Sequence, residues 1–302
     1  MPNVVPLSKT KVDTRLLKER AIRTLGELPP FSPILNRLLA SLAKEDVSFV
    51  KLGDLIEKDT VVAGNLLHLV NSALYARRGS INSVRHALSL LGINKLRNAV
   101  LGMSITRMWN QVKTPPTWSM ARFNMHSAAC AILSDMLAQR LTLDYAEGAF
   151  VAGLLHDVGR LLMALGLPEE YAIIAAMEES EHKPRLVCEQ EVTGFTHPEL
   201  SADALAVWNL PEPIQNAVRY HHAPAEDPLA KDSGKVPLSR VLDAANQYVN
   251  GMGVSIGKPK PGQEMDCADV TRVESLGLPA DELQTLLVDF KNEYDAMSAF
   301  FR

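Results

Sequence analysis

Histidines and one aspartate between residues 126 and 222 of the 302-residue chain are the residues best suited to chemistry. Eight histidines occur in all, and five of them fall in apolar or turn contexts where an isolated surface histidine is not expected: His126, His156, His197, His221 and His222. Their separations in sequence are compatible with a common site only if the fold brings the side chains together. The alternative is that each histidine is satisfied separately by its own hydrogen bonds.

The dipeptide His156-Asp157 is the most informative of these positions. It lies within GAFVAGLLHDVGRLLMAL, a largely apolar stretch that is expected to be buried. Because an unpaired buried carboxylate is costly, Asp157 is predicted to have a partner or a bound metal ion. Imidazole nitrogens and carboxylate oxygens are ligands of iron, manganese, nickel and zinc. The set therefore predicts a site for one or two divalent ions of unspecified identity.

The elements that must position these residues are predicted to be helices. Apolar residues recur at helical spacing along almost every segment, and no run alternates with the period of two that is typical of a half-buried strand. Helix boundaries are predicted at Ser32-Pro33, at Thr60 and at Gly92, which ends the segment SVRHALSLLG. The chain is therefore predicted to be all-α.

Two breaks divide the predicted helices. Pro115-Pro116 interrupts the helical pattern, so residues 1–115 are predicted to form a basic N-terminal helical subdomain and residues 116–250 a core that holds most of the histidines. Residues 251–302 are predicted to form a loop, rich in Gly and Pro over 251–265, and a final helix. One apolar stripe of that helix is expected to pack in the core rather than to bind a partner. The stripe consists of Leu283, Leu286, Leu287, Phe290, Tyr294 and Met297.

The composition, 47% hydrophobic and 22% charged, is typical of a globular protein. We find no apolar run near the roughly 18 residues that a membrane crossing requires, and no secretory signal. A cytoplasmic location without membrane contact is therefore predicted. The three cysteines form no C-x-x-C pair and are predicted to be reduced, mostly buried thiols: Cys130, Cys188 and Cys267.

The charge is unevenly distributed, although the net value is only -4. Residues 1–120 carry 17 Lys/Arg against 8 Asp/Glu, residues 121–302 carry 14 against 27, and no acidic residue lies between Asp59 and Asp135. We interpret the basic stretch as a solvated face that complements the acidic half. A face that binds anions or a partner protein is the alternative. Nucleic acid is not an expected ligand, because no recognition motif accompanies the charge.

Segments across residues 20–250 resemble the HDOD family of bacterial signalling proteins, which is related to the HD and HD-GYP metal phosphohydrolases. The matching segments are LPPFSPILNRLLASL, LIEKDTVVAGNLLHLVNSALYARRGSINSVRHALSLLGINKLRNAVL, FVAGLLHDVGRLLM, GFTHPELSADALAVWNLPEPIQNAVRYHH and LDAANQYV. The most specific parts are NSALY, GLLHDVGRL and the Trp-x-Leu-Pro segment before the paired histidines. The resemblance implies an HD-like helical core with an additional N-terminal helical subdomain, and a regulatory role alongside other signalling proteins.

The resemblance also implies a ligand set. One ion would be bound by His126, His156 and Asp157, and a second by Asp157 as a bridge with the remaining three histidines: His197, His221 and His222. Where the phosphohydrolases have a final aspartate ligand, this chain has Asn246, a neutral amide that attracts a dication less strongly than a carboxylate does. Asp243 lies nearby, but the alignment favours Asn246 as the matching position.

Two further departures concern substrate recognition. The Gly-Tyr-Pro segment expected after the paired histidines is replaced by AEDPLAKDSGK, and the lysine that often follows the His-Asp pair is Arg160. Arg160 could contact a phosphate or merely pair with Asp157. These two residues are the candidates for a catalytic role, if there is one.

These features support three interpretations. The first is a regulatory signal-transduction module that acts through contacts with signalling proteins and contains a His/Asp metal site. The second is a metal-dependent phosphohydrolase that acts on a nucleotide or cyclic dinucleotide, or on another phosphate ligand. The third, a helical nucleic-acid-binding protein, has only the basic stretch in its favour. The lost carboxylate ligand and the missing Gly-Tyr-Pro segment favour a non-enzymatic role.

Overall fold

The computed structural model describes residues 13–42, 49–72, 74–75, 81–230, 234–257 and 270–301. Every regular element in these ranges is a helix, which confirms the predicted all-α class. The first five α-helices are α1 (Thr14–Arg23), α2 (Pro33–Ser41), α3 (Phe49–Lys58), α4 (Thr60–Val70) and α5 (Val84–Trp109).

The helices that carry or surround the histidines follow. They are α6 (Met120–Ala138), α7 (Ala149–Leu155), α8 (Val158–Gly166), α9 (Pro168–Ser180), α10 (Arg185–Thr193), α11 (His197–Val207), α12 (Glu212–Arg219) and α13 (Leu238–Gly251). The chain ends with α14 (Thr271–Glu274) and α15 (Ala280–Ser298). Short 3-10 turns lie at Thr24–Glu27, Ala146–Gly148, Pro224–Glu226 and Pro228–Ala230.

Local sequence signals explain several helix ends. The Ser32 hydroxyl accepts a hydrogen bond from the Leu35 backbone N–H, as predicted for an N-cap. Helix α4 begins at Thr60 as predicted, but its capping side chain is that of Asp59, which accepts from two backbone N–H groups. Gly92 has φ 75° and interrupts α5, because a left-handed backbone favours glycine.

The apolar core of the described residues is continuous across both predicted boundaries. Helix α1 packs on the histidine-bearing half, since Arg20 donates to the carbonyl oxygen of Gly166 at 2.7 Å and Lys18 pairs with Asp203 at 2.7 Å. The subdomain limits at residues 115 and 250 therefore remain predictions.

The final helix packs as predicted. Leu283, Leu286, Phe290, Tyr294 and Met297 of α15 are buried, and the sixth residue of the stripe, Leu287, is half-buried. The apolar face of α15 is part of the core.

Several residues of the basic stretch have acidic partners, which supports its interpretation as a complementary surface. The ion pairs are Arg85 with Asp54, Lys95 with Glu293 and Arg107 with Asp59. Arg77 and Arg78 lie outside the described residues, as does Cys267, whereas Cys130 and Cys188 are buried as predicted.

One stretch corrects the expectation that no run is apolar enough to cross a membrane. Ala146–Gly166 meets that criterion by length and composition, with a mean hydropathy of 1.4. However, 89% of its most apolar window is buried inside the fold, and the stretch is broken into α7 and α8. Core helices of globular proteins meet the same criterion, so we assign it to the core.

Two glycines allow the helices around the His-Asp pair to approach closely. A Cβ atom at Gly153 of α7 would lie 2.6 Å from the Cα atom of Ala131 in α6. A Cβ atom at Gly159 of α8 would clash with the carbonyl oxygen of His197 and lie 2.8 Å from the Ser201 hydroxyl in α11. Backbone contacts of this kind fix α6 against α7 and α8 against α11, on either side of the His-Asp pair.

We therefore expect Gly159→Ala to destabilise the protein, because the added methyl group meets backbone atoms that cannot move aside cheaply. Overpacking of this kind costs about 1–3 kcal/mol. Urea-induced unfolding followed by circular dichroism measures the change. Gly64→Ala is the control, because an added Cβ there meets nothing within 4 Å and the position is exposed. A helical Gly→Ala change without a clash stabilises by about 0.4–1 kcal/mol, so equal effects of the two substitutions contradict the packing argument.

Candidate metal centre

The sequence-predicted residues come from six helices or their ends. His126 lies on α6, His156 follows α7, and Asp157 precedes α8. His197 is the first residue of α11, the paired histidines follow α12, and Asn246 lies on α13. All except His222 are at most 3% exposed. The fold thus brings together side chains that are up to 120 positions apart in the chain.

The Asp157 carboxylate is the centre of this group. Its Oδ2 atom lies 3.6 Å from Nε2 of His126 and 3.5 Å from Nε2 of His156. Its Oδ1 atom lies 3.0 Å from Nε2 of His197 and 3.9 Å from Nε2 of His221. Each oxygen therefore faces a different pair of imidazoles, which is the arrangement expected of a carboxylate between two ion sites.

Backbone carbonyl groups fix the tautomer of three of these histidines. Nδ1 of His126 lies 2.7 Å from the oxygen of Val254, Nδ1 of His156 lies 2.8 Å from the oxygen of Gly153, and Nδ1 of His221 lies 2.6 Å from the oxygen of Val218. Because a carbonyl oxygen can only accept, Nδ1 carries the proton in each ring. Nε2 then presents a lone pair toward Asp157, as metal-binding histidines do.

Burial keeps these rings neutral. It lowers the pKa of His126, His156 and His221, and for His156 the value falls to about 4. His197 is the exception, because the charges of Glu189 and Asp157 outweigh its burial and raise its pKa. Burial would raise the pKa of Asp157, but the neighbouring histidines and Arg160 lower it well below its ordinary value.

Several atoms of the cluster have unmet bonding capacity. Nε2 of His156 and Nε2 of His221 are buried and form no hydrogen bond with the described residues, whereas Nε2 of His197 lies 3.0 Å from Oδ1 of Asp157. Lone pairs on imidazole and carboxylate repel one another across distances of 3.5–3.9 Å unless a cation lies between them. The donor set therefore fits a divalent ion of the kind that nitrogen and oxygen ligands bind.

The paired histidines extend the cluster on the side of Asp157 Oδ1, where His197 also lies. The ligand nitrogens of His197, His221 and His222 lie within 4.8 Å of one another. His222 is half-buried, and burial together with its histidine neighbours lowers its pKa to about 2. This side matches the ligand group that the resemblance implies for a second ion.

Arg160 and Asn246 lie at the periphery. Nη1 of Arg160 is 3.3 Å from Oδ2 of Asp157, and its side chain is 13% exposed. The Asn246 side chain is within hydrogen-bonding reach of His126, and its Oδ1 accepts from Asn250 at 2.7 Å. Asp243 instead pairs with Arg272 at 3.1 Å. The structure thus places Asn246, and not Asp243, beside the cluster.

Sequence reasoning did not find two residues that contact the cluster. Cys130 lies one turn after His126 on α6, and its sulphur atom is 3.7 Å from the His126 Nε2 atom. The sequence feature that indicates this contact is the position of Cys130 four residues after His126 on the same helix. Glu189 of α10 accepts hydrogen bonds from the Nδ1 and backbone N–H groups of His197 at 2.7 and 2.9 Å. It had no local signal, because the contact depends on how α10 packs against α11.

Glu189 orients the His197 ring by binding Nδ1, the ring nitrogen that faces away from Asp157. It is fully buried and also pairs with Arg185 at 2.9 Å. Burial alone would raise its pKa, but His197 and Arg185 lower it to about 2. A carboxylate that holds the far nitrogen of a ligand histidine fixes the ring and strengthens its donor atom.

The remaining histidines lie apart from the cluster. His68 of α4 contacts the Phe300 ring edge to face at 5.6 Å, His86 is an exposed residue of α5, and His182 is exposed, as expected.

Comparison with known proteins identifies the family. The model of the HDOD domain matches residues 28–224. The chain belongs to the HDOD family. Membership confirms the resemblance of the segments around NSALY and the His-Asp pair, together with the all-helical fold.

Three solved structures share this HDOD fold. An HDOD domain protein of unknown function from Geobacter sulfurreducens is 24% identical, with a TM-score of 0.71 over 94% of this chain and 99% of that chain. A proposed signal transduction protein from Marinobacter aquaeolei is 22% identical, with a TM-score of 0.70 over 95% and 65%. A proposed phosphohydrolase from Shewanella amazonensis is 21% identical, with a TM-score of 0.69 over 94% and 98%.

At these identities the likeness shows the fold and not a shared activity. The chain spans 65% of the Marinobacter chain and 42% of the length of the curated relative that it matches.

We expect Glu189→Gln to destabilise this HDOD protein by about 3 kcal/mol, because it removes one charge from a buried network. Denaturant unfolding at neutral pH measures the change. Glu191→Gln on the same helix is the control, since Glu191 pairs with Lys183 at the surface, where its side chain is 46% exposed. Surface pairs contribute about 1 kcal/mol or less, so a smaller loss for Glu189→Gln than for Glu191→Gln contradicts the role of Glu189.

Proposed function

We propose that this HDOD protein is a cytoplasmic signal-transduction module that acts through protein contacts, and that a divalent metal centre around Asp157 stabilises its helical core. One observation carries the proposal. The buried Nε2 atoms of His156 and His221 face the Asp157 carboxylate without hydrogen-bond partners among the described residues, and divalent ions held between these groups would satisfy both nitrogens.

The ligands divide between the two oxygens of Asp157. One ion is bound by His126, His156 and Asp157, with Asn246 beside it. A second is bound by Asp157 and the three remaining histidines, His197, His221 and His222. Iron, manganese, nickel and zinc all suit this donor set. The neutral amide of Asn246 gives the first site one negative charge fewer than an aspartate at this position would, which lowers the affinity of that site for a dication.

Burial favours a structural rather than a catalytic role for this centre. Five of the six sequence-predicted histidine and aspartate ligands are at most 3% exposed. Two cavities, of 260 and 330 Å³, are lined by other residues, around Arg107 and around Glu293. Arg160 and His222 are the residues at the cluster that are partly exposed. A closed site instead couples metal binding to fold stability.

Signalling through protein contacts is supported by family membership and by the fold shared with a proposed signal transduction protein. The expected partners are signalling proteins. Nucleic acid is not expected, because several basic side chains of the first half are already paired with acidic ones.

A metal-dependent phosphohydrolase is the second candidate, and one observation favours it. Asp157 lies between two groups of imidazoles, and the guanidinium of Arg160 and the ring of His222 are partly exposed beside it. Divalent ions supply Lewis-acid activation of water and neutralise phosphate charge. Asp157 would hold the ions, and Arg160 would bind a phosphate of a nucleotide or cyclic dinucleotide.

Elemental analysis of the purified full chain tests the metal centre. We expect one or two equivalents of a first-row divalent metal, and a loss of bound metal in Asp157→Asn. At a free-ion concentration 100 times the Kd, binding adds about 2.7 kcal/mol to stability, and a chelator removes this gain. His182→Ala is the control, because His182 is exposed and remote in the structure. Purified protein that binds no metal after incubation with each ion contradicts the proposal.

Turnover assays separate the two functions. We expect no hydrolysis of cyclic dinucleotides or nucleotides by iron- or manganese-loaded protein, because the cluster is closed. Hydrolysis that is abolished in Asp157→Ala and reduced at least about 10-fold in Arg160→Ala assigns the enzymatic function instead. The latter change removes a charged contact worth roughly 1.5–3 kcal/mol.

A further inference from the structure

Cys130 lies at the cluster although no sequence pattern assigned it a role. It follows His126 by four residues on α6, so both side chains project from the same face of that helix. The sulphur atom is 3.7 Å from Nε2 of His126. Ligand atoms of His126, Cys130 and His156 all lie within 4.8 Å of one another.

The separation of the Cys130 sulphur atom and the His126 nitrogen is compatible with a shared metal ion. With a zinc–sulphur bond of about 2.3 Å and a zinc–nitrogen bond of about 2.0 Å at the tetrahedral angle, sulphur and nitrogen are roughly 3.5 Å apart. The observed distance is 3.7 Å. The two contacts from Oδ2 of Asp157 to Nε2 of His126 and of His156, at 3.6 and 3.5 Å, are also of the size that separates ligands of one ion.

A second observation points to a ligand here. The Nε2 atom of His156 is buried without a hydrogen-bond partner among the described residues, and His156 is one of the three members of the group. An ion bound at this nitrogen is within reach of the Cys130 sulphur atom as well, because the ligand atoms of His126, Cys130 and His156 form one group.

The charge of the site gives the thiol a reason to act as a ligand. Asn246 provides a neutral amide where the related phosphohydrolases provide a carboxylate, so His126, His156 and Asp157 together offer one negative charge. Replacement of the thiol proton by the ion breaks the S–H bond, forms a sulphur–metal bond and releases the proton to solvent. The bound thiolate restores the second negative charge of the site.

We propose that Cys130 is the fourth ligand of the ion held by His126, His156 and Asp157, and that this ligand makes the site selective for zinc over manganese. The inference rests on the proposed metal centre. Thiolate is a soft ligand that suits zinc, whereas manganese is bound best by oxygen ligands. The preference of this site for one metal ion over another is therefore set by Cys130, which lies one turn after His126 on α6.

Cobalt(II) is the probe that tests the proposal in the full-length protein, because a cobalt–thiolate bond has a charge-transfer absorption in the near ultraviolet that nitrogen and oxygen ligands do not produce. We expect this band in the wild type on titration with cobalt(II). In Cys130→Ser the band is lost, while the weaker visible absorption of bound cobalt remains. We also expect zinc affinity to fall at least about 10-fold in this variant, as after other losses of metal-site support, and manganese affinity to change less.

Matched variants distinguish the outcomes. Cys188→Ser, at a buried cysteine of α10 outside the cluster, keeps the band. Asn246→Asp in the Cys130→Ser background restores affinity without restoring the band, which shows that the single variant is folded. Bound cobalt without a thiolate band in the wild type, or a band that persists in Cys130→Ser, overturns the role of Cys130 and leaves the metal centre in place. Absence of any cobalt, zinc or manganese binding overturns both.

Discussion

Burial of one carboxylate is the constraint on which the rest of the structure depends. Asp157 is 2% exposed, and an isolated ionised carboxylate is not tolerated at such a position. Four imidazoles and the Arg160 guanidinium surround it, but three of the four imidazoles carry their proton on the far nitrogen and present lone pairs to it. In the proposed metal centre the protein supplies the ligands, and the ion adds to the charge compensation that Arg160 provides.

The helical packing follows from the same requirement. His156 and Asp157 occupy the break between α7 and α8, where the His156 ring lies beside His126 of α6 and the Asp157 carboxylate lies between His126 and His197 of α11. The close approaches at Gly153 and Gly159 set both distances, since any side chain there would separate the helices. Glu189 then fixes the ring of His197 from a third helix. Small residues at two positions and a buried carboxylate at a third are as necessary for the cluster as the ligands themselves.

The helices and the central dipeptide could be predicted from the sequence because their signals are local. Helical periodicity, a capping serine and a charged pair within an apolar run all act within one or two turns. Glu189 could not be predicted, since its contact with His197 requires the turn at Gly194 to bring α10 against α11. The preference for Asn246 over Asp243 on α13 came from the family alignment and not from helical periodicity. The ion pair of Asp243 with Arg272 of α14 agrees with that preference.

Asn246 and Cys130 both affect which metal ions the proposed first site prefers. A neutral amide at Asn246 weakens the first site for ions that prefer oxygen ligands, and the Cys130 sulphur atom beside it favours softer ions. Burial of the ligands limits access of a substrate but does not limit the stabilisation that a bound ion provides. An ion in such a site acts on the packing of α6, α7, α8 and α11, which form the centre of the domain. Under the proposed function, metal occupancy therefore affects protein contacts through the stability of this helical core.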